Sequence, residues 1–80
     1  MPYIVYILFS PKHNRHYIGQ TNNIANRLIR HNAGHEKATA PYSPWELIWY
    51  TEKITRAEAM TLERKLKNLS TQRLLRFIQK

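Results

Sequence analysis

The chain of 80 residues contains no cysteine, no aspartate and only two glycines. Without cysteine there is no disulfide and no thiolate ligand for a metal, and nothing points to an oxidising compartment. Apolar runs reach seven residues at most, far short of the roughly 20 that span a bilayer. The first of these runs has no basic leader before it and reads as a strand, so a soluble, cytoplasmic protein without membrane attachment is expected. The length suits one small domain over residues 1–80, which buries only about 60–65% of its extended-chain surface.

Negative charge is scarce too. Five glutamates face 13 Lys and Arg, which leaves a net charge of +8 and a pI near 10.2. Such an excess in so small a domain points to a polyanionic partner, most often nucleic acid. A basic protein with no specific partner is the plain alternative.

What is present divides into short, well-marked segments. Residues 3–9 (YIVYILF) are β-branched and aromatic throughout, as in a central strand covered on both faces. Pro11 to Asn14 form a turn, and His16 to Gly19 return as a second strand to give a hairpin. Tyr6 and Tyr17 share a face only if the loop holds an even number of residues, because side chains alternate with a period of two. Gly19, with no Cβ, permits a positive φ or a close approach by another group.

A helix follows, capped by Thr21 or Asn22. Ile24, Ala25, Leu28 and Ile29 make its apolar stripe, with Asn26 and Arg30 opposite. Arg27 and His31, four apart and therefore on one side, are expected at the edge of that stripe. Gly34 ends the helix. The segment from Ala33 to Pro44 is aperiodic and long for so small a domain, as functional or solvated loops are. His35, Lys37, Thr39, Tyr42 and Ser43 there could meet a sugar–phosphate backbone or stack on a base. Residues 45–51 read as a third strand with Trp45 and Trp49 on one face and Ile48 on the other. Thr55 and Glu58 make a capping box for a helix whose core stripe is Ala59, Leu62, Leu66 and Leu69, with Glu63 bordering it. Ser70 caps a last helix carrying Leu74, Leu75, Phe77 and Ile78.

Several of these side chains suit phosphodiester hydrolysis, which requires an activated water, neutralised phosphate charge and in-line positioning. Arg27 offers a permanent, bidentate charge to phosphate. Glu63 can hold a hard cation such as Mg²⁺ or Mn²⁺. Tyr6 or Tyr17 could serve as base if nearby cations lower its pKa. Each also has a plain structural role: strand aromatics for the tyrosines, a solvated face for Arg27 and Arg30, an i,i+4 ion pair with Lys67 for Glu63. His31 and His35 have a metal-like spacing but no third soft ligand, and a zinc site is not expected.

Val5-Tyr6-Ile7, then Tyr17-Ile18-Gly19, then Arg27 and His31 on one helix and Glu63 on a later one, together resemble the GIY-YIG nuclease superfamily. More narrowly the chain is similar to its small stand-alone UPF0213 (YhbQ-like) members, along nearly its whole length. The resemblance implies an α+β fold in the order β-β-α-β-α-α, with a three-stranded antiparallel sheet flanked by helices. It implies a divalent-metal-dependent endonuclease acting on DNA in repair or processing. Tyr6, Tyr17, Arg27, His31 and Glu63 would then be catalytic, Glu63 the ligand of a single Mg²⁺ or Mn²⁺ ion, and Gly19 the structural corner. Arg30, Lys37 and Lys67 would bind nucleic acid. The first motif departs from the superfamily name, with Ile4-Val5 standing before Tyr6 where the name has Gly-Ile. With no room for a targeting domain, binding should run through phosphates, with strong salt dependence and little sequence preference. Two other functions fit the sequence: a nucleic-acid-binding module without turnover, and a protein–protein adaptor that uses Trp45, Trp49 or the terminal helix.

Overall fold

A computed structural model describes residues 2–79. In chain order it comprises β1 (Tyr3–Ser10), β2 (Arg15–Thr21), α1 (Ile24–Asn32), a 3₁₀ turn (Ala40–Tyr42), β3 (Glu46–Lys53), α2 (Arg56–Lys67) and α3 (Thr71–Ile78). The strands form one antiparallel sheet in the order β2-β1-β3. β1 is thus central, as its unbroken apolar run requires: residues 4–8 are all buried. Among the described residues no helix is long and apolar enough to cross a membrane.

The hairpin register settles the parity left open by the sequence. Ser10 pairs with Arg15, so four residues form the loop, and Tyr6 lies opposite Gly19 while Leu8 lies opposite Tyr17. The count is even, and both phenols project from the same face. Asn14 closes the turn at φ 51°, a left-handed conformation that asparagine tolerates better than most residues.

β1 feeds two cores by alternation. Val5 and Ile7 point to one face, where Ile18, Ala59, Leu66 and Leu74 complete an apolar cluster beneath α2 and α3. Tyr6 and Leu8 point to the other, packing with Trp45, Tyr17, Ile24, Leu28, Tyr42 and Leu47 beneath α1 and the segment after it. The two tryptophans do not share a face. Trp49 pairs with Ile7 and Leu47 with Leu8, so Ile48 is an extra residue in a bulge of β3. Two residues of β3 then oppose one of β1, which reverses the alternation. Trp49 stacks edge-on against Phe77 with ring centroids 4.9 Å apart, whereas Trp45 belongs to the Tyr6 side.

The helix caps are local and mostly as expected. Thr55 and Glu58 form the reciprocal capping box of α2, and Ser70 caps α3. The cap of α1 is Asn23, whose Oδ1 accepts from the Asn26 N–H at 3.0 Å. Thr21 instead accepts from the Asn23 N–H at 3.1 Å, in a turn that leads into the helix. Gly34 follows α1 at φ +81°, the left-handed position where glycine stops a helix without strain. The inward stripe of α1 differs from the hydrophobic pattern. Ile29 is 65% exposed and Ala25 is exposed, whereas His31 is 1% exposed. In α3, Leu74 is buried and Leu75 faces outward.

Candidate functional site

The site begins at Gly19. A Cβ there would lie 2.7 Å from the Tyr6 hydroxyl and 3.0 Å from the Tyr17 ring. Its backbone is not left-handed, so close approach is the reason for glycine at this position. The Tyr6 phenol therefore crosses over β2 through the gap that a side chain would fill. Tyr17 lies beside it, with ring centroids 6.3 Å apart.

From above, α1 delivers His31 between the phenols. Its Nε2 and the Tyr6 hydroxyl share a hydrogen bond of 2.9 Å, and its ring centroid is 4.9 Å from that of Tyr17. Nδ1 lies 2.7 Å from the Thr39 hydroxyl. Tyr6, His31 and Thr39 are each 1% exposed, and no buried side-chain polar atom among the described residues lacks a partner. His31 is therefore not at the edge of the helix stripe but at the centre of a buried polar chain. Satisfied polar groups are the form in which a histidine is tolerated in a core.

The long segment after α1 is held in several places. Asn32 brackets the Trp45 backbone, its Oδ1 accepting from the Trp45 N–H at 2.6 Å and its Nδ2 donating to the carbonyl at 3.2 Å. The Trp45 indole N–H donates to the Thr39 carbonyl at 2.9 Å, and the Ser10 hydroxyl donates to the Tyr42 carbonyl at 2.6 Å. Arg15 stacks over the Tyr42 ring, 4.3 Å from its centroid. From this segment Glu36 reaches back to α1. Its Oε1 accepts from Arg27 at 3.3 Å and from Arg30 at 3.2 Å. Thr39 was expected to face a sugar–phosphate backbone or a base and instead is buried against His31, and Glu36 was not singled out in the sequence. An acidic residue six to nine positions beyond two helical arginines was the one available hint.

Burial pushes the Tyr6 hydroxyl well above the ordinary phenol range. The Tyr17 hydroxyl beside it adds to the rise, Arg27 opposes it, and Glu63 and Glu36 contribute smaller increases. The lowering by Arg27 is outweighed, contrary to the simplest expectation for a basic site; desolvation wins. Burial also holds His31 below the ordinary imidazole value; Glu36 works against this, and Arg27 and Arg30 reinforce it.

Glu63 stands on α2, whose buried stripe packs on the face of the sheet opposite Tyr6, and its side chain lies near Gln20 of β2. A cleft of about 340 Å³ opens there, lined by Gln20, Met60, Glu63, Arg64, Lys67 and Asn68. Its walls do not include Tyr6, Tyr17, Arg27 or His31, so the five side chains do not surround this one cavity. Lys67 closes on Glu63 with Nζ 2.7 Å from Oε2. Among the described residues no three His, Cys, Asp or Glu side chains cluster as a metal site. A lone, partly exposed carboxylate fits a hard ion that keeps most of its waters, and does not fit zinc. Lys37 is exposed on the loop.

The sequence model of the GIY-YIG catalytic domain matches residues 2–76. The chain belongs to the GIY-YIG family. As a GIY-YIG domain it has the β-β-α-β-α-α order that its likeness to the family implied. The solution NMR structure of a UPF0213 protein from Bacillus halodurans is similar to it, with 29% identity, a TM-score of 0.64, and coverage of 99% of this chain and 84% of that one. No curated protein gives a significant match. GIY-YIG membership indicates a nuclease family and hence a nucleic-acid substrate.

Proposed function

We propose that the protein is a divalent-metal-dependent endonuclease that hydrolyses phosphodiester bonds of DNA with little sequence preference, in DNA processing or repair. The observation that carries this reading is the buried Tyr6–His31 hydrogen bond of 2.9 Å beside Gly19 in a GIY-YIG domain. With its pKa raised, Tyr6 is protonated at neutral pH and is a poor base by itself. The neutral imidazole gives its proton a destination. His31 takes the phenol proton as the phenol oxygen takes one from an attacking water, so no free phenolate is needed. Tyr17 packs against both rings and holds the pair in line. Arg27, released from Glu36, meets the charge that grows on the phosphate. Glu63 would hold the Mg²⁺ or Mn²⁺ ion, which when bound supplies further neutralisation of phosphate charge. Arg30, Lys37 and Lys67 would contact flanking phosphates, with Lys67 leaving Glu63 to do so.

Supercoiled plasmid incubated with the protein and Mg²⁺ or Mn²⁺ is the direct test. Nicking should fall about 100-fold or more in Arg27→Ala and in Glu63→Ala. Nicking that persists equally in both variants would end the proposal.

One observation favours a second reading, a nucleic-acid-binding module without turnover. Arg27 is engaged by Glu36, and Glu63 by Lys67, so both charged groups have internal partners. Under that reading Arg27→Ala weakens binding, Glu63→Ala leaves metal-free binding unchanged, and robust metal-dependent cleavage by the wild type excludes it.

A further inference from the structure

We infer that Thr39 is a positioning residue of this site: its hydroxyl fixes His31 in the tautomer whose Nε2 lone pair faces the Tyr6 hydroxyl. The inference rests on the nuclease reading for its consequence in catalysis, but the tautomer itself is a property of the folded protein.

The partners of the two ring nitrogens decide the proton arrangement. Starting from the loop, Thr39 Oγ1 has two polar neighbours, His31 Nδ1 at 2.7 Å and the Glu36 carbonyl oxygen at 3.4 Å. The Glu36 carbonyl already accepts from the Thr39 and Ala40 N–H groups at 3.1 and 2.9 Å, so from this side Oγ1 is open either to accept from Nδ1–H or to donate to Nδ1. Starting from the strand, the Tyr6 hydroxyl has His31 Nε2 as its hydrogen-bond partner at 2.9 Å, and among the described residues it has no other. Its proton is satisfied only if Nε2 is the acceptor; a proton on Nε2 would leave the buried phenol O–H with nowhere to donate. A neutral imidazole carries one N–H, which the Tyr6 bond therefore places on Nδ1, where Thr39 Oγ1 accepts it.

The arrangement has the logic of a hydroxyl–imidazole–orienter triad, in which the third group selects the tautomer and does not itself react. Here the orienter is a neutral hydroxyl on a loop, and the first group is a phenol. The loop does not depend on that hydroxyl for its position. The Thr39 carbonyl accepts from the Trp45 indole at 2.9 Å and from the Tyr42 N–H at 3.0 Å, and the Thr39 N–H donates to Glu36 at 3.1 Å. Valine, of nearly the same shape, would occupy the position and lose the bond to His31 and the longer 3.4 Å contact to the Glu36 carbonyl. Charged and titratable groups that face the imidazole from every side are Tyr6 and Tyr17 on the sheet, Arg27 and Arg30 on α1, and Glu36 on the loop.

The test is a long-range ¹H–¹⁵N correlation spectrum of histidine-labelled protein near neutral pH, recorded for wild type, Thr39→Val and Thr39→Ser. Wild type should show a protonated Nδ1 and an unprotonated Nε2 for His31. Thr39→Val should shift the proton toward Nε2, and Thr39→Ser should restore the wild-type pattern. With plasmid substrate and Mg²⁺, Thr39→Val should lower kcat about tenfold with KM unchanged, the loss expected of one hydrogen bond, and the serine variant should recover it. A wild-type spectrum with the proton on Nε2 overturns the inference even if the valine variant fails to fold. So does a folded Thr39→Val protein that keeps the wild-type nitrogen shifts. A tautomer change in a protein that cleaves nothing supports the positioning role and counts against the nuclease reading alone.

Discussion

The two faces of the sheet are built from alternate residues of the same strand, and they are different kinds of interior. Beneath α2 and α3, Val5, Ile7, Ile18, Ala59, Leu66 and Leu74 form a wholly apolar cluster. Beneath α1, Tyr6 and Leu8 share their space with the buried His31 and Thr39, joined by hydrogen bonds that leave no polar atom unpartnered. Apolar packing is non-directional and tolerates substitutions that keep volume. A buried polar chain is directional, and each group in it depends on the next. The domain thus has a wholly apolar cluster on one face and holds a dry phenol beside an imidazole on the other.

This contrast can be broken from either side. Tyr6→Phe removes one oxygen and should lower cleavage by about 10²–10⁴-fold, while unfolding free energy in urea changes by only about 1 kcal/mol. Equal losses of activity and stability would show that the phenol is structural. Leu66→Ala, on the apolar face, should do the reverse. It should cost about 2–5 kcal/mol of stability and leave the rate per folded molecule unchanged.

Gly19→Ala sharpens the boundary between the two. Its Cβ would fall 2.7 Å from the Tyr6 hydroxyl, so the ring must move off His31. Activity should fall roughly 100-fold, the scale of a misplacement of about 1 Å. An unaffected rate would mean that Tyr6 need not cross β2 at this point.

The smallest effect is on pH dependence. His31 and His16 are both held below the ordinary imidazole value by burial. Between their depressed folded values and the unfolded value of about 6.5, the unfolded chain binds more protons, so stability is complete above that range and falls as pH drops through it. Melting temperature should therefore decline from pH 7.5 to pH 5, and His31→Gln should flatten the decline, leaving the part due to His16. A slope identical in His31→Gln would place the acid sensitivity elsewhere.

The local rules were legible wherever a segment decides its own state. The unbroken run of β1, the Thr55–Glu58 capping box, Ser70 before α3 and Gly34 after α1 each depend on neighbours within a few residues. The basic excess is likewise a plain sum of side chains. His31 was placed wrongly because a hydrophobic-period argument assigns inward positions to Ile and Ala. It cannot foresee that a phenol and a hydroxyl from distant segments will satisfy an imidazole and make burial acceptable. Trp45 and Trp49 were assigned one face because strict alternation has no knowledge of a bulge.

The sequence by itself determined which stretches become strand or helix and which side chains could bear charge or move a proton, since those properties reside in the residue and its near neighbours. Tertiary structure alone decided that the hairpin loop is even, that Tyr6 passes over Gly19, that Glu36 engages Arg27 and Arg30, and that Thr39 meets His31. Each of these joins residues whose separation along the chain carries no signal. Only closing the sheet and laying α1 and its loop across it puts them within bonding distance.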